Sequence, residues 1–223
     1  MPKVSTIAID GPAASGKTVV GRQLALQLGF QFLDTGLMYR AITLAAIQHS
    51  TPLSNDVALT ALASTTQITV TDTPQGTRVF LNNQDVTDSL RDPEVEAAVS
   101  LVSAIAGVRA VLVAKQRAIA EDGAIIMAGR DIGTVVLADA DVKVYLQASA
   151  GERAKRRQRE QPGADDKPSV GAVQTNLEAR DLQDSQRAAS PLRPAEDAHI
   201  IMTDGLSIEQ VVAEILKLVT ARS

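Results

Sequence analysis

Gly11-Pro12-Ala13-Ala14-Ser15-Gly16-Lys17-Thr18 is the stretch on which the reading of this chain turns. It fits the G-x-x-x-x-G-K-[ST] spacing, which has meaning only between a strand and a helix. Both neighbours are present. Residues 4–9 (VSTIAI) form an apolar, β-branched run, and Val20, Leu24 and Leu28 recur beyond the loop at helical spacing. Glycines at both ends let the backbone curl until successive N–H groups face one anion, and the helix N-terminus adds its partial positive charge. Lys17 then reaches the β- and γ-phosphates of a nucleoside triphosphate, and the Thr18 hydroxyl is the candidate ligand for Mg²⁺.

Outward from the loop the chain alternates. Gly29 stops the first helix, residues 30–33 (FQFL) are the next strand, and Asp34 or Thr35 caps a helix running through Tyr39, Ile42 and Ala46. This β-α-β-α opening predicts an α/β fold, a parallel sheet flanked by helices, with ligands at the carboxyl ends of its strands. Runs at 67–72 and 77–81, separated by Pro74, Gln75 and Gly76, predict a small antiparallel insert. An Ala- and Val-rich stretch from Pro93 to about Ala120 reads as two helices meeting near Gly107, followed by strands at 124–128, 142–146 and 199–202 and a closing helix over 207–218. Segment 151–168 is charged, contains Pro162, Gly163 and Pro168, and lacks a long apolar face, so it is expected to be a mobile lid.

Bulk properties narrow the function. With 223 residues and 45% hydrophobic side chains, the chain suits one main domain with attached subdomains. The division expected is a core of 1–62, 121–150 and 188–223, an acceptor-binding insert over 63–120 and a lid over 151–187. A net charge of −4 and 2% aromatic residues argue against sequence-independent nucleic-acid binding. No apolar run reaches the roughly 18 residues of a membrane span. There is no cysteine and no signal-like start, so a cytoplasmic, membrane-free protein is expected.

The loop does not choose a reaction, because motors, GTPases and small-molecule kinases share it. The nearest approach to a guanine signature, Asn82-Asn83-Gln84-Asp85, lacks the lysine and reads as a polar turn. Three further motifs discriminate: Asp34-Thr-Gly-Leu-Met-Tyr39-Arg40, Gly129-Arg-Asp-Ile-Gly133, and Arg180-Asp181-x-x-Asp184-x-x-Arg187 with Ser190-Pro-Leu192 behind it. With the phosphate loop, and in this order, they resemble the bacterial cytidylate kinases from residue 5 to about 217. The resemblance implies transfer of the γ-phosphoryl of ATP, with Mg²⁺, to CMP or dCMP.

It also implies roles for named positions. Gly11 to Val19 bind ATP, with a lid arginine, Arg157, beside them. Tyr39, Arg40 and Arg130 hold the acceptor phosphate, and Asp131 helps to recognise the cytosine edge. Thr35, Ser100, Arg109 and Gly129 complete the acceptor site with Asp184 and Arg187. Arg180 acts on the transferring phosphoryl, which makes Lys17, Arg130, Arg180 and Arg187 the catalytic set. Val19 stands where the family commonly has threonine, so one hydroxyl contact is missing. From the residues alone, Arg180, Asp184 and Arg187 are spaced to share one helix face, and a surface salt-bridge ladder is an equally open reading. Residues 151–193 nevertheless hold nine Lys or Arg against seven Asp or Glu, the reverse of the whole chain. A kinase of UMP or AMP, or a nucleotide-dependent switch, are the competing functions. A self-contained site suggests a monomer, and His49 and His199 are expected to be bystanders.

Overall fold

The computed structural model describes residues 4–73, 76–160 and 168–222. Five parallel strands form the central sheet: β1 (Thr6–Asp10), β2 (Gln31–Asp34), β6 (Ile125–Gly129), β7 (Val142–Gln147) and β8 (His199–Met202). Their order is β2-β6-β1-β7-β8, so β1 lies at the centre and the chain crosses it on passing from β6 to β7. Ligands gather at such a reversal, outside the carboxyl ends of the strands.

The inner strands β1 and β6 of the sheet are buried on both faces, with side chains alternating between two layers, while at the edge only Ile201 of β8 is buried. On β6, Ile125 and Met127 enter one apolar layer, while Ile126 and Ala128 enter the other. The second layer is closed by α1 (Lys17–Leu28) and α8 (Ile208–Arg222), through Val20, Leu24, Val212 and Ile215. The first is closed by α2 (Thr35–Gln48), α3 (Asp56–Thr65), α4 (Pro93–Ala104) and α5 (Ala106–Ile119). No single described helix is long and apolar enough to cross a membrane; α4 and α5 pass jointly by composition, but they meet at 93°.

The insert is a three-stranded antiparallel sheet of β3 (Ile68–Thr73), β4 (Gly76–Leu81) and β5 (Gln84–Asp85). It packs Val79 and Leu81 against Ala41 and Leu44 of α2. Asn82 and Asn83, both at positive φ, make the turn between β4 and β5, as a polar turn requires. Pro74 and Gln75, expected in the hairpin turn, lie outside the described residues, as do Pro162 and Gly163 of the expected lid.

Several local expectations change. The break between α4 and α5 falls at Ile105, and Gly107 lies inside the first turn of α5. There a Cβ would come within 2.2 Å of Thr60 Oγ1 on α3, a helix the sequence reading missed. Segment 150–160 is the lid's expected leading helix (α6, Ala150–Glu160), but it is packed against its neighbours. Ala154 is fully buried against Val173 and Leu177 of α7 (Val170–Gln186) and against Ala13 and Ala14 of the phosphate loop. One small side chain, with the Arg153–Asp181 pair, therefore does the docking that a long apolar face was thought necessary for. Arg187 lies beyond α7 with φ −64° and ψ 141°, so Arg180, Asp184 and Arg187 do not share one helix. The chain leaves the helix there to reach Ser190, whose φ is 52°, ahead of Pro191.

Candidate active site

The phosphate loop leaves β1 at Asp10 and enters α1 at Lys17. Gly11 is dictated by space: its φ is 150°, and a Cβ would lie 2.2 Å from the Leu146 carbonyl oxygen on β7. Gly16, at φ 94°, is the N-cap of α1 without a side-chain cap, leaving the first-turn N–H groups to an anion. Lys17 Nζ folds over the loop, donating to the Pro12 carbonyl at 2.6 Å and to Ser15 Oγ at 3.3 Å. Burial, and next the Arg130 charge, pull its pKa down to about 7. Thr18 Oγ1 donates to Asp34 Oδ2 at 2.7 Å, while Asp34 Oδ1 accepts from Gly36 N and caps α2. Val19 is exposed and brings no polar group.

Asp10 supports the loop from beneath. Its carboxylate accepts from the backbone N–H groups of Ile132 (2.8 Å) and Gly133 (2.7 Å), which fixes the turn carrying Arg130 and Asp131. Burial outweighs those bonds and raises its pKa to about 6. Thr35 and Gly129 meet at the same sheet edge. Thr35 Oγ1 donates to the Ala128 carbonyl at 2.9 Å, and a Cβ on Gly129 would approach that hydroxyl to 2.6 Å.

From here a chain of charges runs away from the loop. Arg130 donates to the Gly11 carbonyl at 2.7 Å and to Asp184 at 2.8 Å. Asp184 faces Arg187 at 3.5 Å, and Arg187 lies 3.9 Å from Asp131. Asp131 pairs with Arg109, whose guanidinium sits 5.1 Å from the centroid of the Tyr39 ring. All of these side chains are largely buried, where loss of one partner from a pair costs about 3–5 kcal/mol. Ser100 sits half-buried on α4, tied in through Ser103, which donates to its carbonyl and accepts from Arg109.

Two further arginines converge on this chain. Arg40, on the second turn of α2, donates to the Leu90 carbonyl at 3.2 Å and pairs with Glu96 at 3.2 Å. Arg180 makes no ion pair within 4 Å among the described residues, and its Nε is buried without a hydrogen bond. Burial and then the neighbouring charges of Arg130 and Arg40 lower its pKa to about 10. A guanidinium held among like charges at such cost is suited to an incoming anion. Arg157 pairs with the same Glu96 oxygen as Arg40, so its guanidinium lies on the Arg40 side rather than against the phosphate loop.

Sequence reasoning gave no role to the carboxylates that hold these residues in place, and placed Arg153 and Arg156 beside Arg157 on the lid's leading helix without separating their contacts. Asp181 accepts from Ala13 N at 3.0 Å and pairs with Arg153, clamping the loop to α7 and α6. Arg153 also donates to the Ala13 carbonyl at 3.1 Å, and Arg156 donates to Thr203 near Gly16. Asp181 lies inside the quoted 180–187 motif and Asp10 abuts the loop, so both carried a positional signal. Glu96 carried none.

The arrangement is a phosphate loop joined by paired charges to a second, arginine-rich site. The model of the family described as cytidylate kinase matches residues 7–221. The chain belongs to the cytidylate kinase family. A cytidylate kinase of Desulfitobacterium hafniense is 46% identical, over 98% of this chain and 94% of that one. A bifunctional pantoate ligase/cytidylate kinase of a Synechococcus strain is 46% identical over 97% of this chain, which spans only 41% of that longer protein. An uncharacterized protein from Eubacterium ventriosum has a similar fold, with a TM-score of 0.52 at 12% identity, covering 98% and 99% of the two chains.

Proposed function

We propose that the protein transfers the γ-phosphoryl group of ATP to CMP or dCMP, giving ADP and the pyrimidine nucleoside diphosphate. The observation that carries this reading is the unbroken run of charges from the Gly11 carbonyl through Arg130, Asp184, Arg187 and Asp131 to Arg109. It joins a triphosphate loop to a second anion site, for which a nucleotide switch has no use.

Phosphoryl transfer demands positioning and positive charge around the passing equatorial oxygens rather than covalent chemistry. Lys17 leaves the Pro12 carbonyl for the β- and γ-phosphates. Arg130 and Arg40 hold the acceptor phosphate, Arg109 and Asp131 face the base with Ser100, and Asp184 and Arg187 contact the acceptor nucleotide, with Arg187 also in the catalytic set. Arg180, already held among cations, moves little to meet the transferring group. The forked guanidinium binds two oxygens at once and stays charged at any accessible pH. The acceptor phosphate is ionised at neutral pH, so no histidine is required.

Mg²⁺ fits the donor set present. Among the described residues no cluster of three or more His, Cys, Asp or Glu could cage a metal, whereas Mg²⁺ brought by ATP needs only one or two oxygen ligands. The Thr18 hydroxyl, with Asp34 behind it, supplies them. Bound there, the ion would neutralise charge on the β- and γ-oxygens. Residues 63–120 form the acceptor-binding insert and 151–187 the lid. The enzyme works as a cytoplasmic monomer, since every site residue comes from one chain.

The test is an acceptor panel of CMP, dCMP, UMP, AMP and GMP with Mg-ATP, following ADP release. CMP and dCMP are expected to turn over fastest. Turnover with AMP or GMP but not CMP would refute the assignment.

A further inference from the structure

Gln116 is wholly buried on α5, two turns beyond Arg109 on the same face. Neither its Oε1 nor its Nε2 has a partner within normal hydrogen-bond geometry, nor has the buried Tyr39 hydroxyl, yet the Gln116 amide lies close enough to the phenol to act on it as a donor. An unmade hydrogen bond on a buried polar group costs about 1–3 kcal/mol, while an apolar side chain of similar shape would cost nothing there. A purely structural core position therefore favours leucine or methionine over an idle amide. Two such groups side by side mark a bond left open until a third partner orients the phenol.

The Tyr39 ring is held already. Its backbone is part of α2, and the Arg109 guanidinium covers it at 5.1 Å. What is left free is the direction of the hydroxyl proton. We infer that Gln116 is a positioning residue for the acceptor nucleotide: its Nε2–H donates to the Tyr39 hydroxyl oxygen, so that the phenolic proton is left to donate to the nucleotide. This inference rests on the proposed acceptor site. The phenol keeps its proton at neutral pH, and burial pushes its pKa up further, to about 12, so the hydroxyl is available as a neutral donor.

The experiment compares wild type, Gln116→Met, Tyr39→Phe and the double variant, measuring KM for CMP, KM for ATP, kcat and the urea midpoint. Loss of one neutral hydrogen bond predicts that Gln116→Met raises KM for CMP about three- to tenfold. KM for ATP and kcat should stay within about twofold, the pattern of lost ground-state binding. In the Tyr39→Phe background Gln116→Met should add nothing, because its effect runs through the missing hydroxyl. Equal losses in both backgrounds, an unchanged KM for CMP, or a parallel rise in both KM values would overturn the inference. Gln116→Leu serves as a second apolar variant, and failure of both to fold would make the amide structural and equally overturn it. Absence of CMP turnover in the wild type would instead refute the proposed function.

Discussion

The proposed donor side rests on eight consecutive residues and mainly on backbone: glycines at 11 and 16 set the curve, and the first turn of α1 has no side-chain cap. The proposed acceptor side instead relies on side chains from α2, α4, α5, the end of β6 and the end of α7, brought together only by the fold. A backbone site is fixed once its loop has closed. A side-chain site must hold its cations apart from one another before substrate arrives, and here carboxylates do so: Asp131 between Arg109 and Arg187, Asp184 between Arg187 and Arg130, and Glu96 between Arg40 and Arg157. The donor half is thus preorganised by covalent geometry and the acceptor half by electrostatics.

That contrast is broken most forcefully at Lys17, which, like Thr18, would act through its side chain within the proposed donor half. Lys17→Ala should lower kcat by about a hundredfold to a thousandfold, the cost of removing one preorganised charge donor from a transition state. The fold should survive, since the lysine bonds only within its own loop. Circular dichroism and a urea melt check the second point, and a variant that keeps substantial turnover would mean that the backbone alone carries the donor half.

A smaller effect follows from the pKa of about 7 at Lys17, which burial chiefly imposes. Phosphates at the loop favour the charged lysine and raise that pKa again, so ATP binding takes up a proton above about pH 7. Affinity for ATP should therefore be level below about pH 7 and fall above it, by up to about tenfold per pH unit while the complex remains protonated. KM for ATP measured from pH 6 to 9 should bend upward near 7, with KM for CMP following a different profile. In the free protein the unfolded chain binds the extra proton between about pH 7 and 10.5, so this group makes stability rise with pH across that window. A pH-independent KM for ATP would show that Lys17 stays fully charged before nucleotide arrives.

The same contrast explains what could be read without a structure. The loop, the capping of α2 by Asp34 and the stop at Gly29 are local, and each follows from residues within a few positions of one another. The antiparallel insert was equally legible from two β-branched runs around a turn. The acceptor site was legible only as a set of motifs in order, because no spacing reveals that Arg109 meets Asp131 or that Arg130 reaches Gly11. Local periodicity misled at Arg187, where a helical spacing continued past the helix end, and at 150–160, where Ala154 and the Arg153–Asp181 pair dock α6 without a long apolar face. Glu96 and Gln116 had no signature at all. Their meaning comes from what faces them after folding.

Glu96 gives the mildest and most discriminating test of the two halves. One of its oxygens takes both Arg40, from the acceptor side, and Arg157, from a helix packed on the phosphate loop. It is the carboxylate that links α4 to α6. The pair is partly exposed, so its worth is limited to about 0.2–1 kcal/mol. Glu96→Gln should weaken the tie between α6 and α4 and so raise ATP hydrolysis in the absence of CMP by about two- to fivefold, within the range that energy allows. Coupled turnover should change less, because a bound acceptor phosphate draws Arg40 to itself whether or not Glu96 is charged. Unchanged hydrolysis would mean that α6 is held by Ala154 and the Arg153–Asp181 pair alone. The donor half would then close independently of the acceptor half, and the communication between them would have to run through Arg130 and Gly11.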